Sequence, residues 1–441
     1  MDPVTTTTLD HEITQTVRRA AERVRTALGQ DTGDRVERAL VRTLTDTITV
    51  DDDGAFVITG DIPAMWLRDS TTQMTPYLRL VDRSAGGSAA LADLLWSVVA
   101  RQFRLIEHDP YANSFNREPD GAHYDDHDLN ADPLVWEQKY EVDSLAYPVT
   151  FAHALWRATG SEAVLDERAH RVFCTIVEQW ALEQDHDRSS YRFVRPGAIA
   201  TETLARDGRG TPVGVTGMTW SGFRPSDDAC TFGYNVPANL FAAQALLAVA
   251  EIARAVWQDD RLADDADVLR SAILDGVARH GVVPGPAGQP VYAYEVDGLG
   301  GALLMDDANT PSLLSLPLDA PDVLDPEVWA ATRSLVTSPA NPYWFSGTVA
   351  SGIGSPHTLP NRIWPIALAV EGLVAASGER RRELLRLLAA TDAGTGDMHE
   401  SFDVDDPAQY SRPWFSWADA MFCELALATA EGGADGAAAD A

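Results

Sequence analysis

Two short acidic stretches lie far apart in this 441-residue chain. Ser221–Ala229 reads S-G-F-R-P-S-D-D-A, and Met398–Phe402 reads M-H-E-S-F. Asp227 or Asp228 on one side and Glu400 on the other are a pair of carboxyl groups of the kind glycoside hydrolysis uses. One acid protonates a leaving oxygen, and one carboxylate activates water or attacks carbon. Tryptophans and arginines lie near both stretches, as a sugar pocket requires.

Each candidate has a plainer reading. Pro225 sets the chain extended before a predicted helix start, where Ser226 or Asp227 would cap free backbone N–H groups. One aspartate is then only a cap, but two adjacent aspartates exceed what one cap needs. A helix start also lowers a carboxyl pKa, whereas a general acid needs it raised. Arg224 adds to that pull. Glu400 alone reads as solvated surface, yet it follows the turn Gly394–Asp397 and precedes R-P-W-F-S-W, Arg412–Trp417. Trp66, Arg68 and Asp69 crowd together in G-D-I-P-A-M-W-L-R-D-S, either as core with a salt bridge or as a rigid hydroxyl-binding group. His357, in G-I-G-S-P-H-T, is a surface turn histidine or, with Trp364 close by, part of a subsite.

H-Y-D-D-H-D (His123–Asp128) invites a metal reading, but its groups are too close in sequence for most to reach one ion. It is read as a solvated acidic loop. M-D-D-A-N (Met305–Asn309) lacks the EF-hand pattern. No metal and no cofactor is expected. P-loop, G-x-G-x-x-G and G-x-S-x-G motifs are absent, which removes the usual anchors of nucleotide, dinucleotide and serine-hydrolase chemistry.

The elements that must position these groups are mostly helical. Apolar residues recur at helical spacing over Glu12–Leu28, Ala64–Val81, Ala90–Glu107, Val142–Ala158, Glu162–Leu182, Pro237–Trp257, Ala263–His280, Pro326–Val336, Ile363–Ala376, Arg380–Ala390 and Trp414–Ala430. Strand signals fall at Thr47–Val50 with Phe56–Thr59, and at Val291–Val296. The expectation is an all-α protein of stacked helical hairpins with short β-hairpins in its loops. It forms one closed helical barrel over residues 1–431 and a disordered tail over 432–441. Ligand-type residues concentrate in loops spread along the whole chain, so the site is assembled from every part of the fold.

Composition narrows the partners. The net charge is −32, from 34 basic and 66 acidic residues, which repels phosphate backbones and anionic membranes. Nucleic acid and membrane are therefore not expected, and a neutral ligand is. Lys139 is the single lysine. The three cysteines, Cys174, Cys230 and Cys423, are far apart, fit no zinc spacing and are read as buried thiols. Met1–Glu12 has no basic or apolar leader character, and no run of 18 apolar residues occurs. A soluble cytoplasmic protein is expected. Oligomeric state does not follow from the sequence.

Taken together, the motifs carry a resemblance. Thr59–Ser70, Asp109–Asn116, Trp136–Leu145, Ser221–Ala229, Leu303–Pro317, Gly352–Thr358, Met398–Phe402 and Arg412–Trp417 resemble, in order, the signatures of glycoside hydrolase family 125, the exo-α-1,6-mannosidases. The resemblance implies an (α/α)6 barrel. It also implies metal-independent, inverting hydrolysis of a terminal non-reducing α-1,6-linked mannose on an oligosaccharide. It puts the general acid within Asp227–Asp228 and the general base at Glu400, with Asp228 favoured because Asp227 is the better helix cap. Trp66, Arg68, Asp69, His357 and Trp364 resemble subsite residues; Arg224, Arg412 and Trp417 join them as candidates. The alternatives are another inverting glycosidase or a sugar phosphorylase on the same barrel, or a glycan-binding protein without catalysis.

Overall fold

The computed structural model describes residues 10–81 and 87–439. Its long helices alternate between an inner and an outer ring. The inner ring contains Leu67–Leu78, Val142–Thr159, Val236–Ile252, the single turn Leu316–Asp319, Pro365–Leu373 and Ser416–Ala439. Leu67–Leu78 packs against both Val142–Thr159 and Ser416–Ala439, Val142–Thr159 packs against Val236–Ile252, and Pro365–Leu373 against Ser416–Ala439. Ala89–His108, Glu167–Leu182, Asp260–Gly276, Pro326–Val336 and Gly378–Ala390 lie outside. His11–Leu28 and Gln30–Arg42 share the remaining outer position. The architecture is an (α/α)6 barrel.

Position in the ring explains composition. Outer helices such as Glu167–Leu182 bury one stripe, here Ala169, Val172, Phe173, Ile176, Val177 and Trp180. Inner helices touch protein on most sides, so Val236–Ile252 is mainly apolar and buries 14 of its 17 residues. With its continuation to Trp257 it is long and apolar enough to cross a bilayer, but 83% of its apolar window is buried inside the barrel.

Helix starts are where the structure departs most from the periodicity. The predicted Ala64 start moves to Leu67 because Met65–Trp66 pairs as a strand with Ser114–Phe115. The predicted Ile363 start moves to Pro365 because Arg362–Ile363 pairs with Phe402–Asp403. Periodicity missed Gln30–Arg42 because Gly29 reads as a stop. Gly29, at φ 99°, ends one helix and begins the next. Gly33 then lets the two helices lie close, since a Cβ there would fall 1.9 Å from Arg25 Cγ. The predicted hairpin at residues 47–59 forms as Ile48–Asp51 with Gly54–Val57. Val291–Val296 splits into Pro290–Tyr292 and Glu295–Val296, which belong to different sheets.

The last helix continues to Ala439 through most of the segment expected to be a disordered tail. Alanine, the best helix former, extends a helix already anchored in the ring. Met1–Leu9, Asp440 and Ala441 lie outside the described residues, and the leader reading rests on the first of these. Cys230 and Cys423 are buried and Cys174 is half-buried; all three are free thiols.

Candidate active site

Three small three-stranded sheets feed inner helices. Met65–Trp66, Ser114–Phe115 and Val135–Glu137 form one, Tyr234–Asn235, Glu295–Val296 and Ala302–Leu303 the second, and Arg362–Ile363, Ser401–Asp403 and Tyr410–Ser411 the third. The strand-to-helix junctions bring the inner helix N-termini to one end of the barrel. Trp66, Glu141 and Trp364 occupy the position just before their helices. The positive ends of helix dipoles and free N–H groups therefore converge on a common cavity, which favours acidic groups there.

That cavity has a volume of about 330 Å³ and is lined by Trp66, Arg68, Asp69, Asp227, His357, Trp364, Glu400, Arg412 and Trp417 among others. All nine are residues that sequence reasoning singled out. Arg224 is not among the lining residues; it is buried behind, where it pairs with Glu295 and donates to Thr231 Oγ1 at 3.2 Å. Asp228 is also absent from the lining and is 1% exposed.

The aspartate pair is split by a turn, not by a helix start. Asp227 N donates to Arg224 O at 2.9 Å, and Arg224 N to Asp228 O at 2.8 Å. Pro225 presets the first bend. Asp227 takes φ 67°, a left-handed conformation that Asp tolerates better than most residues. No helix begins here, so the expectation that Asp227 serves as a cap is corrected. Its side chain is 24% exposed and faces the cavity, where Arg68 Nη2 lies 3.3 Å and Asn113 Nδ2 3.1 Å from Oδ1. Asp228 points the other way and receives a bond of 3.0 Å with His357 Nδ1.

Glu400 is 9% exposed and sits just before the strand Ser401–Asp403. Ser411 Oγ donates to its Oε2 at 2.8 Å, and Arg412 Nη1 lies 3.7 Å from Oε1. Arg412 also bonds Asp61 and donates to Thr59 Oγ1 at 3.0 Å, which ties the last inner helix's approach to the first's.

Below Asp227 the floor is a dense ionic cluster that motif reading did not resolve. Arg68 faces Glu141 at 2.6 Å, Asp143 and Asp69 at 3.4 Å each, and Asp227. Lys139, 1% exposed, faces Glu202 at 2.8 Å and Glu137 at 3.3 Å. The usable signal was a lone lysine between two glutamates in W-E-Q-K-Y-E, with an aspartate two residues further on.

Burial and crowding by Asp227, against the pull of Arg68, push Asp69 up to about 6. Burial, again opposed by Arg68, brings Asp143 to about 6. Burial drives the Glu141 carboxyl well above its usual range, with Asp227 and Asp143 adding to it and Arg68 opposing. For Asp227 burial also opposes ionisation, but Arg68, the hydrogen bond with Glu141 and Lys139 outweigh it and hold its carboxyl low.

Burial lowers His357, yet its hydrogen bond and charge contact with Asp228, with Glu400 and Asp227 beyond, raise it to about 9. A histidine raised in the folded state stabilises the fold fully below the free value near 6.5. That contribution is lost as pH rises through 9. The melting-temperature gap between wild type and His357→Gln is therefore expected to be widest below pH 6.5 and to shrink towards pH 9. A gap constant across that range would contradict the ion pair.

The loop expected to be solvated is exposed at Tyr124, Asp126 and His127 but anchored at Asp128. Asp128 accepts two bonds from Arg195, at 2.6 and 2.8 Å, and Tyr124 lines the cavity. Asp306 accepts from the backbone of Leu313 and Leu314, and Asp307 from that of Asn309, so these two aspartates shape a loop. Glu202, Asp228 and His357 come close enough together to resemble a metal site. The cation role there is already filled: Lys139 and Arg195 hold Glu202, and His357 holds Asp228.

An (α/α)6 barrel with paired acids in a cavity at the inner helix N-termini is a glycoside hydrolase architecture. Residues 29–427 match the family described as metal-independent alpha-mannosidase (GH125), and the chain belongs to that family. The Meiotically up-regulated gene 157 protein of Schizosaccharomyces pombe is 38% identical over 390 residues, covering 84% of this chain and 76% of that protein. A solved metal-independent alpha mannosidase of Streptococcus pneumoniae, in a non-productive complex with alpha-1,6-mannobiose, is 43% identical. The two share a TM-score of 0.91 over 96% of this chain and 99% of that one. A bacterial glucoamylase complexed with acarbose shares the fold alone. Its TM-score is 0.55 and its identity 11%, over 95% of this chain and 57% of that one. The protein is an α-mannosidase by family and a hydrolase by class.

Proposed function

We propose that the enzyme removes terminal non-reducing α-1,6-linked mannose by a single inverting displacement, with Asp227 as general acid and Glu400 as general base. The observation that carries this reading is that two carboxyls from remote stretches of chain line one narrow cavity. Asp227 protonates the glycosidic oxygen as the C1–O bond breaks. Glu400, fixed by Ser411, takes a proton from the water that attacks the opposite face, which calls for carboxyls ~6.5–9.5 Å apart. Exo action fits a cavity whose floor, at Arg68 and Asp69, is closed by the inner helices. The α-1,6 linkage is favoured by the streptococcal relative's complex with alpha-1,6-mannobiose.

Asp227 replaces Asp228 as the acid because it is the aspartate that faces the cavity. Phosphorolysis is disfavoured because the cavity cations are already matched by carboxylates: Arg68 by Asp227, Lys139 by Glu202, Arg412 by Asp61. A phosphate would enter a field of net negative sign.

Proton NMR of α-1,6-mannobiose hydrolysis tests the reading. β-Mannose is expected as the first anomer, without phosphate in the buffer. Initial release of α-mannose would exclude inversion, and a requirement for phosphate would exclude hydrolysis.

A further inference from the structure

Four carboxylates meet one guanidinium at the cavity floor, so the cluster cannot hold all of them ionised without a large repulsion. Within that cluster two carboxyls share their donors. Asn113 Nδ2 lies 3.1 Å from Asp227 Oδ1 and 3.4 Å from Glu141 Oε1. Arg68 offers Nη2 to Asp227 and Nη1 to Glu141. Two buried carboxyls that share one amide and one guanidinium repel each other when both are ionised, and one proton held between them removes that repulsion. Glu141 is 1% exposed and stands where a helix cap belongs, yet its side chain caps nothing. Its Oε2 instead accepts from Ser144 Oγ at 2.7 Å. Capping does not account for this residue.

We propose that Glu141 and Asp227 hold one proton between them, and that Glu141 is the positioning residue that keeps this proton available for delivery to the glycosidic oxygen. The inference rests on Asp227 being the general acid. It resolves a tension in that reading, since Arg68 alone would leave Asp227 ionised and without a proton to give. In the step itself the shared proton moves to the glycosidic oxygen, which keeps the electron pair of the broken C1–O bond. Water bonds to C1 and gives its proton to Glu400. Both members of the pair are then carboxylates and Glu400 is protonated, so the site's proton count is unchanged. The pair regains its proton through solvent once product leaves.

The groups facing the pair are Arg68 and Asp69 from Leu67–Leu78, Asp143 from Val142–Thr159, Glu137 and Lys139 from the strand and loop before it, His357, and Cys230.

The experiment measures kcat/KM against pH for Glu141→Gln, Asp227→Asn and Ser144→Ala. The substrates are α-1,6-mannobiose and 2,4-dinitrophenyl α-mannoside, whose leaving group needs no proton. Glu141→Gln is expected to lose about 10²-fold or more on mannobiose, the scale of general-acid assistance, and only a few-fold on the aryl substrate. Its alkaline limb moves to lower pH, because a lone Asp227 beside Arg68 and Lys139 gives up its proton more readily than a pair that would be left with two adjacent negative charges. Ser144→Ala removes a donor to ionised Glu141 and moves the limb to higher pH.

Equal losses on both substrates with an unmoved limb in Glu141→Gln would overturn the proposal while leaving Asp227 as the acid. Equal losses in Asp227→Asn would overturn the acid assignment itself. Should circular dichroism show Glu141→Gln unfolded, an unmoved limb in Ser144→Ala overturns the proposal.

Discussion

Asp227→Asn is expected to lower turnover of α-1,6-mannobiose by about 10²–10⁴-fold, the range for loss of a general acid, whereas Asp228→Asn lowers it by about tenfold or less. The contrast follows from which way each side chain faces. Asp227 lines the cavity; Asp228 is 1% exposed and its Oδ1 bonds His357. An asparagine at 228 still presents a carbonyl oxygen to His357 Nδ1, and His357 can release its proton once its charge partner is gone, so the loss is on the scale of one net hydrogen bond, about 0.5–1.5 kcal/mol. Tenfold in rate corresponds to about 1.4 kcal/mol. A good leaving group should restore Asp227→Asn to near wild-type rate, because bond breaking then needs no proton. The measurement is steady-state release of mannose by each variant at its own optimum pH. A larger loss in Asp228→Asn than in Asp227→Asn would return the acid to the buried position.

This same pair shows why the sequence is legible in part. S-G-F-R-P-S-D-D-A marks a loop with chemistry in it, but the letters do not distinguish a proline that opens a helix from one that opens a turn. A local bridge decides it: Phe223 pairs with Ala229 and the turn closes on itself. Adjacent residues then diverge, one to the cavity and one to His357. Trp66 and Trp364 were legible because they combine a rare side chain with a helix start, and the barrel collects inner helix starts at one end. Glu141 was not. In sequence it is one more acid in a chain with 66 of them, and its role comes from Arg68 and Asp227, 73 and 86 residues away. Arg224 erred the other way. An arginine beside the paired aspartates suggests a ligand contact, but the tight turn directs it back to Glu295. Helix cores were recoverable from periodicity because burial imposes it. Helix starts at Leu67 and Pro365 were not, because they depend on strand partners far along the chain.

Glu400→Gln should lack the substrate dependence of Asp227→Asn. Removing the base leaves water unactivated whatever the leaving group, so mannobiose and an aryl mannoside both fall by about 10²–10⁴-fold. Glutamine is close in shape and its carbonyl oxygen can still accept from Ser411, so folding is expected to be preserved, which a thermal melt by circular dichroism would check. Azide needs no deprotonation and can occupy the space left by water. With the aryl substrate it is expected to restore turnover and yield β-mannosyl azide, since attack comes from the face opposite the departing group. An α-configured azide would instead mean two displacements, with a covalent intermediate still formed by some other nucleophile, and would remove Glu400 as the base of an inverting reaction. Full activity on both substrates without azide would remove Glu400 from the reaction. Because only the first of the two substitutions responds to leaving-group quality, their combination separates protonation of the departing oxygen from activation of water.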